Sequence, residues 1–299
     1  MFTLPKEVGL MPKTASRNGS RNSKEAARRR QAAELSMAAK SDRHVLYQQA
    51  VQSVDAEIDF IDETFQDLRG RKPALIREDF CGTAFTSCEF VRRRPGNRAI
   101  GVDLCQETLD WGVKNNLSKL KSGARERVKL LRENVLTVRT EPVDAVLAMN
   151  FSYFIFKDRD TMRAYFRHVR ESLAPGGLFF MDMYGGSDAF KEMREKRDID
   201  GKFTYVWDQA RYDPISGHIL CHIHFHFPDG SKIRRAFSYD WRMWTLPELR
   251  EILAEAGFAR STVYWEGTEE DTGEGDGNFE PADHGEADLA WIAYVVAER

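Results

Sequence analysis

Glu78, Gly82 and Asp103 carry the clearest chemical pattern in the chain. Leu75-Ile76-Arg77-Glu78-Asp79-Phe80-Cys81-Gly82-Thr83-Ala84 is an apolar run that ends in acids and a small-residue turn, and Ala99-Ile100-Gly101-Val102-Asp103 is a second run that ends in an acid. With the helix-like segment between them they read as a βαβ unit able to hold a nucleotide-like ligand. Gly82 lets backbone approach that ligand, and Asp103, about 20 residues past the turn, is placed to accept hydrogen bonds from both hydroxyls of a ribose.

Two other groups invite a chemical reading. Ligands of open α/β sheets bind beyond the carboxyl ends of the strands, and Asn150-Phe151-Ser152-Tyr153 follows such an end, so Tyr153 is either a wall of the site or a packed tyrosine. In Cys221-His222-Ile223-His224-Phe225-His226-Phe227 the histidines share one strand face and the apolar residues the other. His224 is a candidate base where this strand covers the site, and one of an exposed row where it does not. Two histidines at this spacing can bind zinc, but no third ligand is evident and no metal is expected.

The elements that must position these residues are legible in the periodicity. From Asp42 to Leu68, Tyr47, Val51, Val54, Ile58, Ile61, Phe65 and Leu68 step by three and four, the face of one long helix or two consecutive ones, ended by Gly70 and Pro73. Ala74–Asp79, Ala99–Asp103, Val128–Arg132, Ala145–Asn150 and Leu178–Asp182 are strand candidates alternating with helical stretches, which predicts a parallel sheet with helices on both faces. Phe203–Tyr212, His218–Phe227 and Lys232–Trp241 then predict a three-stranded antiparallel insert, joined by Asp213-Pro214-Ile215-Ser216-Gly217 and Pro228-Asp229-Gly230 turns. Thr245-Leu246-Pro247-Glu248 has the form of a capping box for a helix stopped by Gly257. Two closing strands, Ser261–Trp265 and Ala290–Ala297, flank an acidic loop that contains Glu269, Glu270, Asp271, Glu274, Asp276 and Glu280.

This order of parts resembles the class I S-adenosylmethionine (SAM) dependent methyltransferases over roughly residues 42 to 299. The matching segments are Glu78–Ala84, Asp103-Leu104, Leu131-Arg132-Glu133-Asn134-Val135-Leu136, Asp144–Asn150 and the Leu173-Ala174-Pro175-Gly176-Gly177-Leu178 turn. The resemblance implies a Rossmann-like, doubly wound α/β fold: a seven-stranded sheet with its last strand antiparallel, plus the three-stranded β lid. It implies SAM as cofactor, with Glu78, Phe80, Cys81 and Gly82 at the turn, Asp103 on the ribose and Leu104 over the adenine. Asn134 takes the place of an acid that reads the adenine amino group, with Val135 beside it; Asn150 lies near the methyl group, and Tyr47 covers the methionine end. Phe80 and Ala84 stand where the family has glycines. A dinucleotide dehydrogenase is the nearest competitor, but its Gly-x-Gly-x-x-Gly turn is absent.

Composition sets the outer limits. The 299 residues are 42% hydrophobic, enough for a packed core, and the net charge of −3 gives no global drive toward a phosphate backbone. Cys81, Cys88, Cys105 and Cys221 form no Cys-x-x-Cys pair, which fits a reduced, cytoplasmic setting, and no apolar run approaches the roughly 20 residues a membrane span needs. The expected divisions are a basic flexible tail (1–40), a SAM-binding core (41–183), an antiparallel lid (184–244) and a closing unit (245–299). The expected activity is methyl transfer to a small molecule, with nitrogen as acceptor because the acidic loop could draw in an amine. Methylation of RNA or protein guided by the basic tail, and a SAM-fold binding module without activity, are the alternatives.

Overall fold

The computed structural model describes residues 35–269 and 275–299, so most of the basic tail and the tip of the acidic loop lie outside the described residues. The first periodic stretch is two helices, α1 (Arg43–Ala50) and α2 (Val54–Arg69). The Asp42 carboxylate caps α1 by accepting from the N–H groups of His44 at 2.8 Å and Val45 at 3.4 Å, and takes the indole N–H of Trp111 at 2.7 Å. Gly70, at φ 71°, closes α2 in the left-handed conformation.

The strands β1 (Leu75–Asp79), β2 (Arg98–Asp103), β3 (Val128–Arg132), β4 (Val143–Ala148) and β5 (Leu173–Gly185) alternate with α3 (Phe85–Arg93), α4 (Gln106–Asn115) and α5 (Arg159–Ser172). After β5 come β6 (Met193–Ile199), β7 (Phe203–Tyr212), β8 (His218–His226) and β9 (Lys232–Arg242), then α6 (Leu246–Glu255), β10 (Arg260–Thr268), β11 (Gly275–Ala282) and β12 (Trp291–Glu298). The main sheet has the order β11-β10-β12-β5-β4-β1-β2-β3, with β1 to β5 parallel and β12 antiparallel to β5. The capping box at Thr245 and Glu248 opens α6.

Two strands depart from the sequence reading. The main sheet has eight strands because half of the acidic loop, with Asp276 and Glu280, pairs with β10 as the edge strand β11. Phe279 anchors it by packing 4.4 Å from Tyr294, an apolar contact that a polar stretch hides from periodicity. The second sheet has four strands, since β6 joins β7 through a charged run without alternation. Its Arg194 pairs across the strands with Asp208, and charge is usual on an exposed edge.

Alternation along each strand sorts the core into layers. Phe179, Met181 and Val295 face α5 and α6, while Leu178, Phe180 and Val296 face the side of α2 to α4. A third cluster joins Leu46 and Ala50 of α1 to Phe203, Ile223 and Phe225 of the second sheet. Helix α1 thus binds the inserted sheet to the rest of the molecule. Among the described residues no helix is long and apolar enough to cross a membrane.

Candidate active site

The turn after β1 keeps the backbone shape that glycines would give it. Phe80, Gly82 and Ala84 have φ of 57°, 52° and 54°, and the two side chains are held in this region, at about 1–2 kcal/mol each, by burial. The Phe80 ring packs 6.0 Å from Phe156 and 5.8 Å from Tyr165, and Ala84 has no exposed surface. Gly82 donates its N–H to Asp103 Oδ2 at 2.8 Å, while Cys105 donates to Oδ1 at 2.8 Å. Each carboxylate oxygen keeps a second lone pair, so the brace leaves Asp103 able to accept hydroxyl donors. A Cβ on Gly82 would meet only Thr108 Cγ2 at 3.9 Å, so this stretch of backbone is open to a ligand. Leu104 is 62% exposed beside it. Cys81 is a buried packing residue against Gly101, and its contribution at the turn is backbone.

Elements behind the turn fix it in place. A Cβ on Gly112 of α4 would lie 2.5 Å from the Thr83 carbonyl, so only glycine lets the helix approach this closely. Asn116 donates to the same carbonyl at 2.9 Å, and Gln48 of α1 donates to Thr83 Oγ1 at 2.8 Å. Gln48 escapes sequence reading because only the fold brings α1 to the turn. On the opposite face of β1, Arg77 makes a fully buried bidentate pair with Asp79 at 2.8 and 3.0 Å, joined by the Tyr165 hydroxyl at 2.9 Å.

The other expected contacts separate. Asn134 is exposed just beyond β3 and its Oδ1 accepts from the Leu136 N–H at 2.9 Å; Val135 is buried in the core. Asn150 lies past the end of β4, at φ 58°, followed by Phe151 at φ 55°. The N–H groups of both donate to the Asp182 carboxylate, at 2.6 and 2.9 Å. Tyr47 packs 4.9 Å from Phe237 on the second sheet and shares a hydrogen bond with Tyr239, and burial pushes its phenol above the usual range.

The two candidate catalytic side chains do not reach this space. Tyr153 is 0% exposed and its hydroxyl donates to the Asp182 carbonyl at 2.7 Å, which makes it a packed tyrosine. The apolar face of β8, with Cys221, Ile223 and Phe225, packs on the core clusters, so His224 lies on the opposite face of the sheet, where it is buried rather than in an exposed row. There His224 Nε2 lies 3.1 Å from Asp208 and its Nδ1 accepts the Arg235 N–H at 3.1 Å, committing both nitrogens.

Three acids occupy the interior instead, Glu78, expected at the turn, with Glu57 and Asp182, which the sequence reading missed. Glu57 of α2, Glu78 of β1 and Asp182 of β5 are 7%, 6% and 8% exposed. Glu78 Oε2 accepts from the N–H and hydroxyl of Ser87, at 2.9 and 2.5 Å, and Glu57 Oε2 accepts from Thr86 at 3.2 Å. Burial pushes Glu57 up to about 8, helped by the charges of Asp182 and Glu78. Burial likewise pushes Glu78 and Asp182 up to about 7, against the hydrogen bonds each accepts. Among the described residues no lysine or arginine forms an ion pair with any of the three. Glu57 was detectable as an acid on the apolar stripe of α2, between Val54 and Ile61, and Asp182 as an acid between Met181 and Met183.

Neither protein-family models nor curated proteins match the chain. Solved structures do. An S-adenosylmethionine-dependent methyltransferase from Clostridium acetobutylicum superposes with a TM-score of 0.62 at 16% identity, over 85% of this chain and 96% of that one. DesVI from Streptomyces venezuelae gives 0.61 at 17%, over 85% and 95%. CalS10, an amino pentose methyltransferase from Micromonospora echinaspora solved with SAM, gives 0.59 at 19%, over 86% and 95%. The chain has the fold of the class I SAM-dependent methyltransferases.

Proposed function

We propose that this protein is a SAM-dependent methyltransferase acting on a small molecule, with an amine nitrogen as acceptor. The observation that carries the reading is the brace between Gly82 and Asp103: an open backbone turn, a carboxylate with spare lone pairs and the exposed Leu104 lie together at the carboxyl ends of β1 and β2. These residues fit a ribose and an adenine. Glu78, Cys81, Gly82 and Asp103 would hold the cofactor through the turn, with Asn134 at its adenine end and Tyr47 at its methionine end. When bound, SAM supplies a methyl group on a positively charged sulfur, ready for in-line displacement.

The protein's own part is to align the acceptor and to manage its proton. The second sheet, packed against α1, favours an enclosed small acceptor. Uncompensated carboxylates favour an amine, in keeping with the amino pentose named for CalS10. A screen of amines, carboxylates and phenols for S-adenosylhomocysteine (SAH) release tests the reading. Turnover of amines is the expected result, and turnover confined to phenols or carboxylates would overturn the choice of nitrogen.

A further inference from the structure

Away from the cofactor turn, two cavities adjoin beside the end of β5. The inner one, of about 350 Å³, is walled by Met183, Phe190, Trp244, Trp265 and Trp291. The outer one, of about 640 Å³, runs between α6 and β10 and takes in Arg250, Arg260, Asp283 and His284. Leu246, Pro247, Trp265 and Gly285 border both, so the two form one continuous space. In the main sheet β4 stands between β5, which lines this space, and β1, which carries the cofactor turn.

The seating of the indoles depends on two glycines. A Cβ on Gly185 would lie 2.1 Å from Trp291 Cζ2, and one on Gly285 would lie 2.8 Å from Trp265 Cη2, so both rings rest directly on backbone. Trp265 and Trp291 stand 4.9 Å apart, tilted by 42°, and each is only half-buried. Trp244 closes the back, fixed by its N–H, which donates to the Phe156 carbonyl at 3.0 Å, and by the Arg242 guanidinium 3.8 Å from the centre of its ring. A concave chamber of this size, with apolar aromatic walls and a few polar groups at its mouth, has the form of a small-molecule site.

The mouth sets the charge of the occupant. Leu246, Arg250 and Ala254 follow at intervals of four on α6 and so border the space from one face of the helix. Arg250 forms no ion pair among the described residues, and Arg260 reaches only Glu298, at 4.0 Å. Of the two acids there, Glu251 lies 3.7 Å from Arg159, which leaves Asp283. Two guanidiniums against one free carboxylate favour an anion, and a guanidinium takes a carboxylate through paired N–H donors.

We propose that this space is a second binding site, separate from the cofactor turn, for a small molecule made of a flat apolar ring system and a carboxylate. The rings enter the inner chamber against Trp265 and Trp291, where their surface leaves water. The carboxylate stays in the outer chamber beside Arg250, where it keeps much of its hydration and loses little by binding. The site does not depend on the methyltransferase reading.

The test is calorimetric titration of the full chain, near neutral pH and at low salt, with naphthoate, the matching naphthalenemethanol and naphthylmethylamine, and acetate. Naphthoate is expected to bind in the millimolar range or better, about tenfold more tightly than the alcohol, with the amine weaker still and acetate silent. Trp265→Ala should weaken naphthoate about tenfold through the lost ring contact. Arg250→Gln, an exposed change on α6 that leaves the indoles in place, should keep the melting temperature, bring naphthoate down to the affinity of the alcohol and leave the alcohol unchanged. Naphthoate that does not bind, an amine that binds as tightly as the carboxylate, or an Arg250→Gln protein that binds naphthoate as the natural chain does would overturn the site.

Discussion

At the residue scale, the site is defined by carboxylates in two different conditions. Asp103 is tied to two backbone N–H groups at the edge of the sheet, while Glu57, Glu78 and Asp182 are buried without cations. The second condition has a consequence for stability. Carboxyls near 4 when unfolded and near 7 to 8 when folded bind more protons in the native state, so the empty protein loses stability as pH rises from about 4.5 to about 8. Thr86, Ser87, Cys81, Cys88, Tyr47, Tyr153, Tyr294, Asp103 and the Asn150 and Phe151 N–H groups are among the groups that interact with them, and none of these is a cation. Thermal melts across pH 5.5 to 8.5 should therefore show a falling melting temperature, and saturating SAM should flatten the slope. Gly112→Ala belongs to this scale too: the added methyl meets the Thr83 carbonyl, and chemical denaturation should report a loss of about 1–3 kcal/mol.

At the scale of elements, β1 serves two faces. Its one side carries Glu78 toward the proposed site, and its other carries the Arg77–Asp79 pair into the core against α5. Removing one partner strands a buried charge, so Arg77→Leu should cost about 3–5 kcal/mol in denaturant unfolding, while the double change Arg77→Leu with Asp79→Leu should recover much of it. Sequence made the regular elements legible: β3 and β7 were expected with their observed limits, and the capping box at Thr245 is present as read. It missed β6 and β11 because both are edge strands whose side chains are mainly charged or exposed, so hydrophobic alternation never marks them. For Tyr153 and His224 the sequence left two readings open for a related reason. Position after a strand or on one face of a strand does not say which side meets the ligand, and each side chain was claimed by a local partner, the Asp182 carbonyl and Asp208.

At the scale of the molecule, an eight-stranded sheet supplies the carboxyl edge, and a four-stranded sheet is bound over that edge by α1. The ordered turn motifs pointed to this fold from the sequence, whereas the acids that distinguish the interior came together only through three separate elements. The central claim is that the turn braced by Asp103 holds SAM. The most direct test is the thermal shift of the full chain with SAM, measured beside Asp103→Ala. At a concentration 100 times the dissociation constant the natural chain should gain about 2.7 kcal/mol, a clear rise in melting temperature, and the variant should show none. A natural chain that does not respond to SAM, or a variant that responds equally, would contradict the account.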